Sequence, residues 1–416
     1  MGDGHLIGVP IMAADRRVSP LLKTCASLAL MTMLAACGGS GSFCIAGVPC
    51  GPVPRYDENV PAAVVTAQRF TQVGLGNWHS CMTDVTGGAW CWGSNEYGKL
   101  GAPSTMRCMD NNVDCSWSPL KVEGIQVFKQ LTASMNHTCA LTPEGEAWCW
   151  GLGRGGQLGD GGKADSRRPV AVAGGHRFVA LTTSLWQGVT CGLKDDGALW
   201  CWGIGFTGSA GPAASPEPVR WSQAGSVAWR SAGLGEAHAC GLDAAGRAWC
   251  LGRNSFGELG NGGADSAATP VAVAGGRVYR QLEVGPLHAC ALDQAGQAWC
   301  WGWGEAVGDG NTSSEPRRTP VAVAGGLRLE KIASGQSRSC GLTADGTAWC
   351  WGNGTSGGLG DGASAQRYAP VTVAGGLKFK TIGVGGMATC GITFDGTAYC
   401  WGENEVGAVG KPIVAH

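Results

Sequence analysis

Seven times along this chain two cysteines stand ten positions apart, and no other feature of the sequence restricts the fold as tightly. The pairs are Cys81/Cys91, Cys139/Cys149, Cys191/Cys201, Cys240/Cys250, Cys290/Cys300, Cys340/Cys350 and Cys390/Cys400. Consecutive first cysteines are separated by 58, 52, 49, 50, 50 and 50 residues. A unit of about fifty residues repeated seven times is one supersecondary element stacked on its own copies, because a single copy cannot bury its apolar faces alone. The repeat overrides the two or three domains that 416 residues would otherwise suggest.

The text around each pair specifies a hairpin. It is clearest as His137-Thr138-Cys139-Ala140-Leu141 followed by Ala147-Trp148-Cys149-Trp150-Gly151. Midway between the cysteines a glycine recurs at 87, 145, 197, 246, 296, 346 and 396. This spacing predicts a three-residue loop, a type I turn closed by a left-handed glycine. In the second copy the loop is Pro143-Glu144-Gly145, so Thr142 pairs with Glu146 and Cys139 falls directly opposite Cys149. Opposed cysteines on antiparallel strands are within disulfide reach, and each pair is expected to form a bridge inside its own hairpin. The same register sets a small residue against a large aromatic in six copies, as in Ala140/Trp148, Gly192/Trp200 and Gly391/Tyr399; Met82/Trp90 is the exception. Both faces of the hairpin are therefore expected to be buried, the cysteine face against one neighbouring copy and the aromatic face against the other. Twelve of the 18 tryptophans belong to this text and read as core.

Before each hairpin runs an apolar alternating strand, such as Phe128-Lys-Gln-Leu131 or Tyr279-Arg-Gln-Leu282. After it come a glycine-rich turn, as in Gly156-Gln-Leu158-Gly159-Asp160-Gly161, and a strand expected to begin at Pro119, Pro169, Pro218, Pro270, Pro320 or Pro370. Four strands per copy predict an all-β, seven-bladed propeller over residues 61–416. Two terminal segments, Pro61-Ala-Ala-Val64 and Pro412-Ile413-Val414, could each complete the blade begun at the other end and so close the ring.

Gly-x-x-His-x-Cys-x-Leu, Trp-Cys-Trp-Gly and Gly-x-Leu-Gly-Asp-Gly, recurring in that order, resemble the repeats of the regulator of chromosome condensation family. The resemblance covers residues 61–416, and its form is that of a bacterial, cysteine-rich, exported branch. It implies a seven-bladed propeller. It carries over no activity, because no position here matches the segment through which the family's exchange factor contacts a small GTPase, and the fold hosts many functions.

Export is read from the N-terminus. Arg16, Arg17 and Lys23 precede an apolar run from Thr24 to Ala36, too short to span a bilayer and suited to a signal-peptide core. The run ends Leu34-Ala35-Ala36-Cys37, which looks like a bacterial lipobox with Cys37 as the lipidated residue. Residues 1–36 are thus expected to be a lipoprotein signal peptide (starting at Met1 or Met12), and residues 37–60 a flexible tether in which Cys44 and Cys50 can close a small loop. The 20 cysteines fit an oxidising compartment. The expected location is the bacterial outer membrane or cell surface, with the periplasmic face as an alternative.

Other chemistry is sparse. Lys+Arg is 30 and Asp+Glu 31, so no net field recruits nucleic acid or anionic lipid, and membrane contact is expected through a lipid anchor only. His79, His137, His238 and His288 each precede a first cysteine by two residues, one per blade; they read as hydrogen-bonding groups, since zinc needs ligands converging on one ion. Asp160, Asp309, Asp361 and Asn261 sit before glycines and read as turn residues rather than calcium ligands. No paired acid, Ser-His-Asp set or phosphate loop stands outside the repeat text, so no metal, cofactor or catalytic residue is assigned and the chain reads as a non-enzyme, expected to be a monomer.

Departures from repetition are the candidate binding elements. Blade one carries an insertion from Ala102 to Ser118 with Arg107, Asp110, Asp114 and Trp117, which Cys108 and Cys115 are expected to staple into a rigid exposed loop. Loops 163–168, 311–318 and 363–368 add arginines and a tyrosine. Arg107, Trp117, Arg167, Arg317 and Tyr368 are therefore the expected partner-binding set. The reading is a surface-anchored platform for a protein or glycan. The alternatives are a secreted-type enzyme inhibitor resembling propeller β-lactamase inhibitors and, last in order, an enzyme with a loop-built site.

Overall fold

The computed structural model describes residues 42–43, 51–52 and 57–411, except 109–111, 125 and 206–210. Cys37, Cys44, Cys50, Asp110 and the segment Pro412–Val414 lie outside the described residues. The chain forms two compact units, 1–54 and 55–416. In the first, Ser42–Phe43 pairs antiparallel with Gly51–Pro52. The second is the propeller: seven antiparallel sheets, six of four strands and one of five.

Each blade grows outward from the hairpin that the cysteine spacing predicts. In blade two the order from centre to rim is Gln130–Ala133, His137–Leu141, Ala147–Gly151 and Ser166–Ala171. Thr142 N–H donates to Glu146 O and Gly145 N–H to Thr142 O, with Gly145 at φ 87°, which closes the three-residue loop. Counting back from that hydrogen-bonded pair, Cys139 and Cys149 fall in a non-hydrogen-bonded pair, the closer of the two antiparallel spacings. The same bridge forms in every blade. Cys81 joins Cys91, Cys139 joins Cys149, Cys191 joins Cys201 and Cys240 joins Cys250. Cys290 joins Cys300, Cys340 joins Cys350 and Cys390 joins Cys400. All seven lie inside one hairpin, with Cα atoms 4.0–4.1 Å apart.

Because side chains alternate along a strand, Cys139 and Cys149 share one face with Leu141 and Ala147, while Trp148 and Trp150 occupy the other. The cysteine face of blade two packs on Phe178, Leu181 and Trp202 of blade three, and the same exchange recurs at all seven junctions. The second tryptophan of Trp-Cys-Trp is the anchor. Trp92, Trp150, Trp202, Trp301, Trp351 and Trp401 are all fully buried, each worth roughly 1.5–3 kcal/mol or more by the burial of a large apolar side chain. Trp150 Nε1 donates to Lys99 O (3.0 Å), Trp301 to Glu258 O (2.9 Å) and Trp401 to Gly358 O (3.1 Å), each in the preceding blade. Those carbonyls belong to the x of Gly-x-Leu-Gly, so this motif is a junction as well as a turn. Its last glycine has a positive φ, and a Cβ on Gly260 would lie 2.7 Å from the Trp301 ring.

Three expectations need correction. The small residue opposite the first tryptophan is small for a different reason: a Cβ on Gly192 would stand 2.4 Å from Phe178, and one on Gly391 2.4 Å from Phe379, the aromatic just before or at the start of the innermost strand. The first tryptophan itself is half-buried. The outer strands begin about three residues before their prolines, as in Ser166–Ala171 and Arg317–Ala322, because a bulge opposite the third strand takes up extra residues. Proline is tolerated there because the strand is at the edge of its sheet.

The ring is closed by the N-terminal segment. Asp57–Ala63 pairs with Ala398–Glu403 as the rim strand of the last blade, Asp57 opposite Glu403 and Ala63 opposite Tyr399. The chain therefore enters the propeller at the end of the ring that carries the loops after each Trp-Cys-Trp-Gly strand.

Candidate functional site

Antiparallel order puts two sets of connections at each end of the ring. The loop end carries the links from first to second and third to fourth strands; the turn end carries the cysteine hairpin loops and the links between blades. The hairpin cysteines contribute to neither end as reactive groups. Cys91, Cys149, Cys201, Cys250, Cys300, Cys350 and Cys400 are as buried as their partners Cys81, Cys139, Cys191, Cys240, Cys290, Cys340 and Cys390, so these residues brace the blades and offer no thiol to a ligand or metal. The insertion of blade one is at the loop end, but it is not a free loop. Met106–Cys108 pairs with Val113–Lys121 and adds a fifth strand, and the Cys108–Cys115 bridge is buried against Val406 and Ala408 of the last blade. The expected exposed staple is thus a wedge between the first and last blades.

The expected binding residues are scattered around this end in different states. Arg107 is exposed and pairs with Asp114 at 3.1 Å. Trp117 is half-buried, its backbone against Gly407. Arg167 is exposed and packs its stem on Gly98. Arg317 is not exposed: it is held by Asp309 at 2.6 Å with only 11% of its side chain accessible. Tyr368 is half-buried, and its carbonyl accepts from Gly310 N–H. The aspartates of the Gly-Asp-Gly turns act as the turn reading expects, Asp160, Asp309 and Asp361 each accepting from the backbone N–H two residues on, as does Asn261.

Sequence reasoning missed the exposed apolar side chains of the loop end: Tyr97, Trp186, Ile204 and Phe256. Tyr97 and Phe256 occupy equivalent places two residues before the x of Gly-x-Leu-Gly. Tyr97 has φ 61°, a conformation disfavoured for a bulky residue, at a place where blade two has Gly155. Arg154 of blade two stacks over the Tyr97 ring at 5.8 Å while pairing with Asp165 at 3.0 Å. The available signal was an aromatic at a loop position that blades two and six fill with Gly155 and Ser356.

The histidines belong to the junctions. His79 Nε2 shares a hydrogen bond with Thr138 Oγ1 (2.8 Å), His137 with Thr190 (2.8 Å) and His288 with Ser339 (2.9 Å), each in the next blade. Arg338 Nε repeats the bond to Thr389 (3.1 Å). Burial drives His137 and His288 down to about 4 and His238 to about 3, so these rings are neutral at neutral pH. At the turn end, Asp84, Asp243 and Asp293 accept from the indole N–H of the tryptophan six residues on, at 2.8–3.1 Å. Through the ring runs a central channel of about 700 Å³ lined by the innermost strands.

Fold and site together define a closed propeller scaffold that fixes loops and exposed aromatics at one end of a disulfide-stapled ring. Regulator of chromosome condensation (RCC1) repeats are found in part of this ring. One RCC1 description matches residues 70–99, 128–157, 330–357 and 379–408, and a second matches 86–141 and 345–392. The chain is 30% identical over 168 residues to the human E3 ubiquitin-protein ligase HERC2, covering 39% of this chain and 3% of that protein. It is 30% identical over 157 residues to the ultraviolet-B receptor UVR8 of Arabidopsis thaliana, covering 36% of this chain and 33% of the receptor. The chain thus spans a third or less of the length of these relatives. Among solved structures, human WBSCR16 superimposes with TM-score 0.68 at 17% identity over 87% of this chain and 94% of that one. Prp20p of Saccharomyces cerevisiae, whose structure was described with its binding to Gsp1p and histones, superimposes with TM-score 0.64 at 20% identity over 80% and 81%. These likenesses establish the fold. Eight disulfides fit an oxidising, extracellular environment, and no helix among the described residues is long and apolar enough to cross a membrane.

Proposed function

We propose that the protein is an exported, lipid-anchored platform whose loop end binds a protein or glycan of the cell envelope. The observation that carries this reading is the exposure of Tyr97, Trp186, Ile204 and Phe256 at one end of a rigid ring. Aromatic side chains beside arginine supply large contact area at low entropic cost, and their disulfide-braced frame leaves little ordering to be done on binding. Arg107, Trp117, Arg167 and Tyr368 flank this surface, while Arg317 serves it through its hold on Asp309.

The entry point of the chain favours a partner near the membrane. Asp57 enters the rim at the loop end, only twenty positions after Cys37 in the sequence. A partner at the loop end then lies in the anchoring envelope rather than in free solution. The test is photo-crosslinking in the native cell, with a photoreactive residue placed at Tyr97, Trp186 or Phe256 and, for comparison, at Val85 or Phe394 of the turn end. One discrete adduct at the loop end, lost on Tyr97→Ala with Phe256→Ala, is the expected result. Adducts confined to the turn end would overturn the reading. Labelled-palmitate incorporation that is equal in wild type and Cys37→Ala would remove the anchor from it.

A further inference from the structure

The central channel has a charge pattern that the loop-end reading does not use. Four charged side chains line it, and only one is acidic: Glu283 of blade five, with Arg230, Lys331 and Lys380 of blades four, six and seven. Glu283 sits opposite Cys290 in its sheet, and the residues in the same register on the flanking blades are Gly233 and Ala333. The flanking blades thus set no second charged side chain at this level. Gln281 fixes it, donating through Nε2 to Glu283 Oε1 (3.0 Å) and to Ile332 O of the next blade (2.9 Å). The surrounding wall is neutral and polar, with Thr132 and Thr183 sharing a bond at 2.7 Å.

Two of the three cations are positioned by backbone carbonyls, and none of the three is neutralised. Arg230 donates to Tyr279 O (3.1 Å) and Lys331 to Lys380 O (2.8 Å), both neutral carbonyls of the next blade. No carboxylate pairs with Arg230, Lys331 or Lys380 among the described residues. Lys331 lies two residues before Ala333, so its backbone is one strand repeat, roughly 7 Å, from the level of Glu283. A simple cation entering this channel would meet three like charges, and a simple anion would meet the carboxylate. A molecule carrying its two charges on the order of 7 Å apart, as a dipeptide does, reaches from one level toward the other.

We infer that the central channel is a binding site for a small zwitterion of dipeptide size, its ammonium on Glu283 and its carboxylate toward Lys331, Lys380 and Arg230. Burial pushes the Glu283 carboxyl up to about 7, so the ionised form that an ammonium needs grows as pH rises through that value. Affinity for the zwitterion is accordingly expected to increase from pH 6 to pH 8.

The test is isothermal titration of the full-length protein with glycylglycine, with N-acetyl-glycylglycine (anion only) and with glycylglycinamide (cation only). Saturable binding of glycylglycine is expected, with both single-charge analogues at least tenfold weaker. Glu283→Gln should weaken glycylglycine at least tenfold and abolish the rise with pH, and Lys331→Met should weaken it while leaving the rise intact. Equal affinity for all three probes, no saturable binding up to about 10 mM, a range that captures even millimolar affinities, or a Glu283→Gln protein that binds as wild type would each overturn the proposal. If Glu283→Gln does not fold, the pH dependence and Lys331→Met decide between the same outcomes.

Discussion

Ala289→Ser should stabilise this protein, although it puts a hydroxyl into a fully buried site. At three junctions a histidine two residues before the first cysteine bonds to a Thr or Ser one residue before the next blade's first cysteine. At the junction of blades four and five the equivalent pair is His238 and Ala289, both fully buried, and neither ring nitrogen of His238 has a partner. A buried hydrogen bond contributes about 0.5–1.5 kcal/mol, and relieving an unsatisfied buried group is worth about 1–3 kcal/mol. Adding one oxygen to a packed site costs part of that. The expected net gain is about 1 kcal/mol. His238→Val tests the origin of the gain, because it copies the apolar Val189/Ala239 junction one blade earlier, and it should fall within about 1 kcal/mol of wild type once the smaller side chain is allowed for. Added to the His238→Val protein, Ala289→Ser should destabilise, since its hydroxyl then lacks the imidazole. The assay is urea unfolding of the four proteins as a double-mutant cycle. The slope for a chain of this size is steep, so 1 kcal/mol moves the midpoint by only about 0.1–0.3 M. Equal effects of Ala289→Ser with and without His238 would refute the junction argument.

The buried histidines also fix an acid response. Folded pKa values lie below the unfolded 6.5 for His79, His137, His238 and His288, so the unfolded chain binds more protons and stability falls as pH drops below 6.5. At about 1.4 kcal/mol per unit for each ring, and with about 1.5 kcal/mol returned by Glu283, whose folded carboxyl is raised to about 7 and so gains its proton first in the folded chain, the loss by pH 5.5 is roughly 3–4 kcal/mol, and urea midpoints that stay level from pH 7 to pH 5 would contradict it. Gly192→Ala should cost roughly 1–3 kcal/mol, because its Cβ would stand 2.4 Å from Phe178; Ala140→Gly, at the matching place in blade two, should cost no more than about 1 kcal/mol, and calorimetry separates the two. Peptide mapping without reductant should join Cys139 to Cys149 and likewise the other six hairpin pairs; a bridge between blades would break the register argument.

The parts of the fold that repeat were legible in the sequence. Cys139 opposite Cys149 followed from counting outward from Gly145, because antiparallel pairing leaves no freedom once the turn length is known. What escaped was set by contacts between copies. The pairing of His79 with Thr138 links residues 59 apart, and nothing within one repeat announces it. The burial of Cys108 depends on Val406 and Ala408, three hundred positions away, so an insertion that reads as an exposed loop turned out to be a wedge. Arg317 looked exposed by composition and was claimed by Asp309, eight residues earlier, across a turn whose shape the sequence only partly specifies. Tyr97 and Phe256 stood out only once the ring was assembled, because exposure is a property of the closed object.

The pairing of Asp57–Ala63 with Ala398–Glu403 has a consequence for how this chain is made. The first strand of the propeller to leave the ribosome is among the last to find its place, for its partner follows more than three hundred residues later. Loop closure over that length costs roughly 5 kcal/mol of chain entropy, which the finished clasp and the last two junctions must offset together. A polypeptide cut short before Ala398 keeps intact hairpins yet presents unpaired strand edges and an open aromatic face, the features that proteases and chaperones act on. The ring thus acts as its own test of completeness, since only a chain translated to its final blade can hide its beginning.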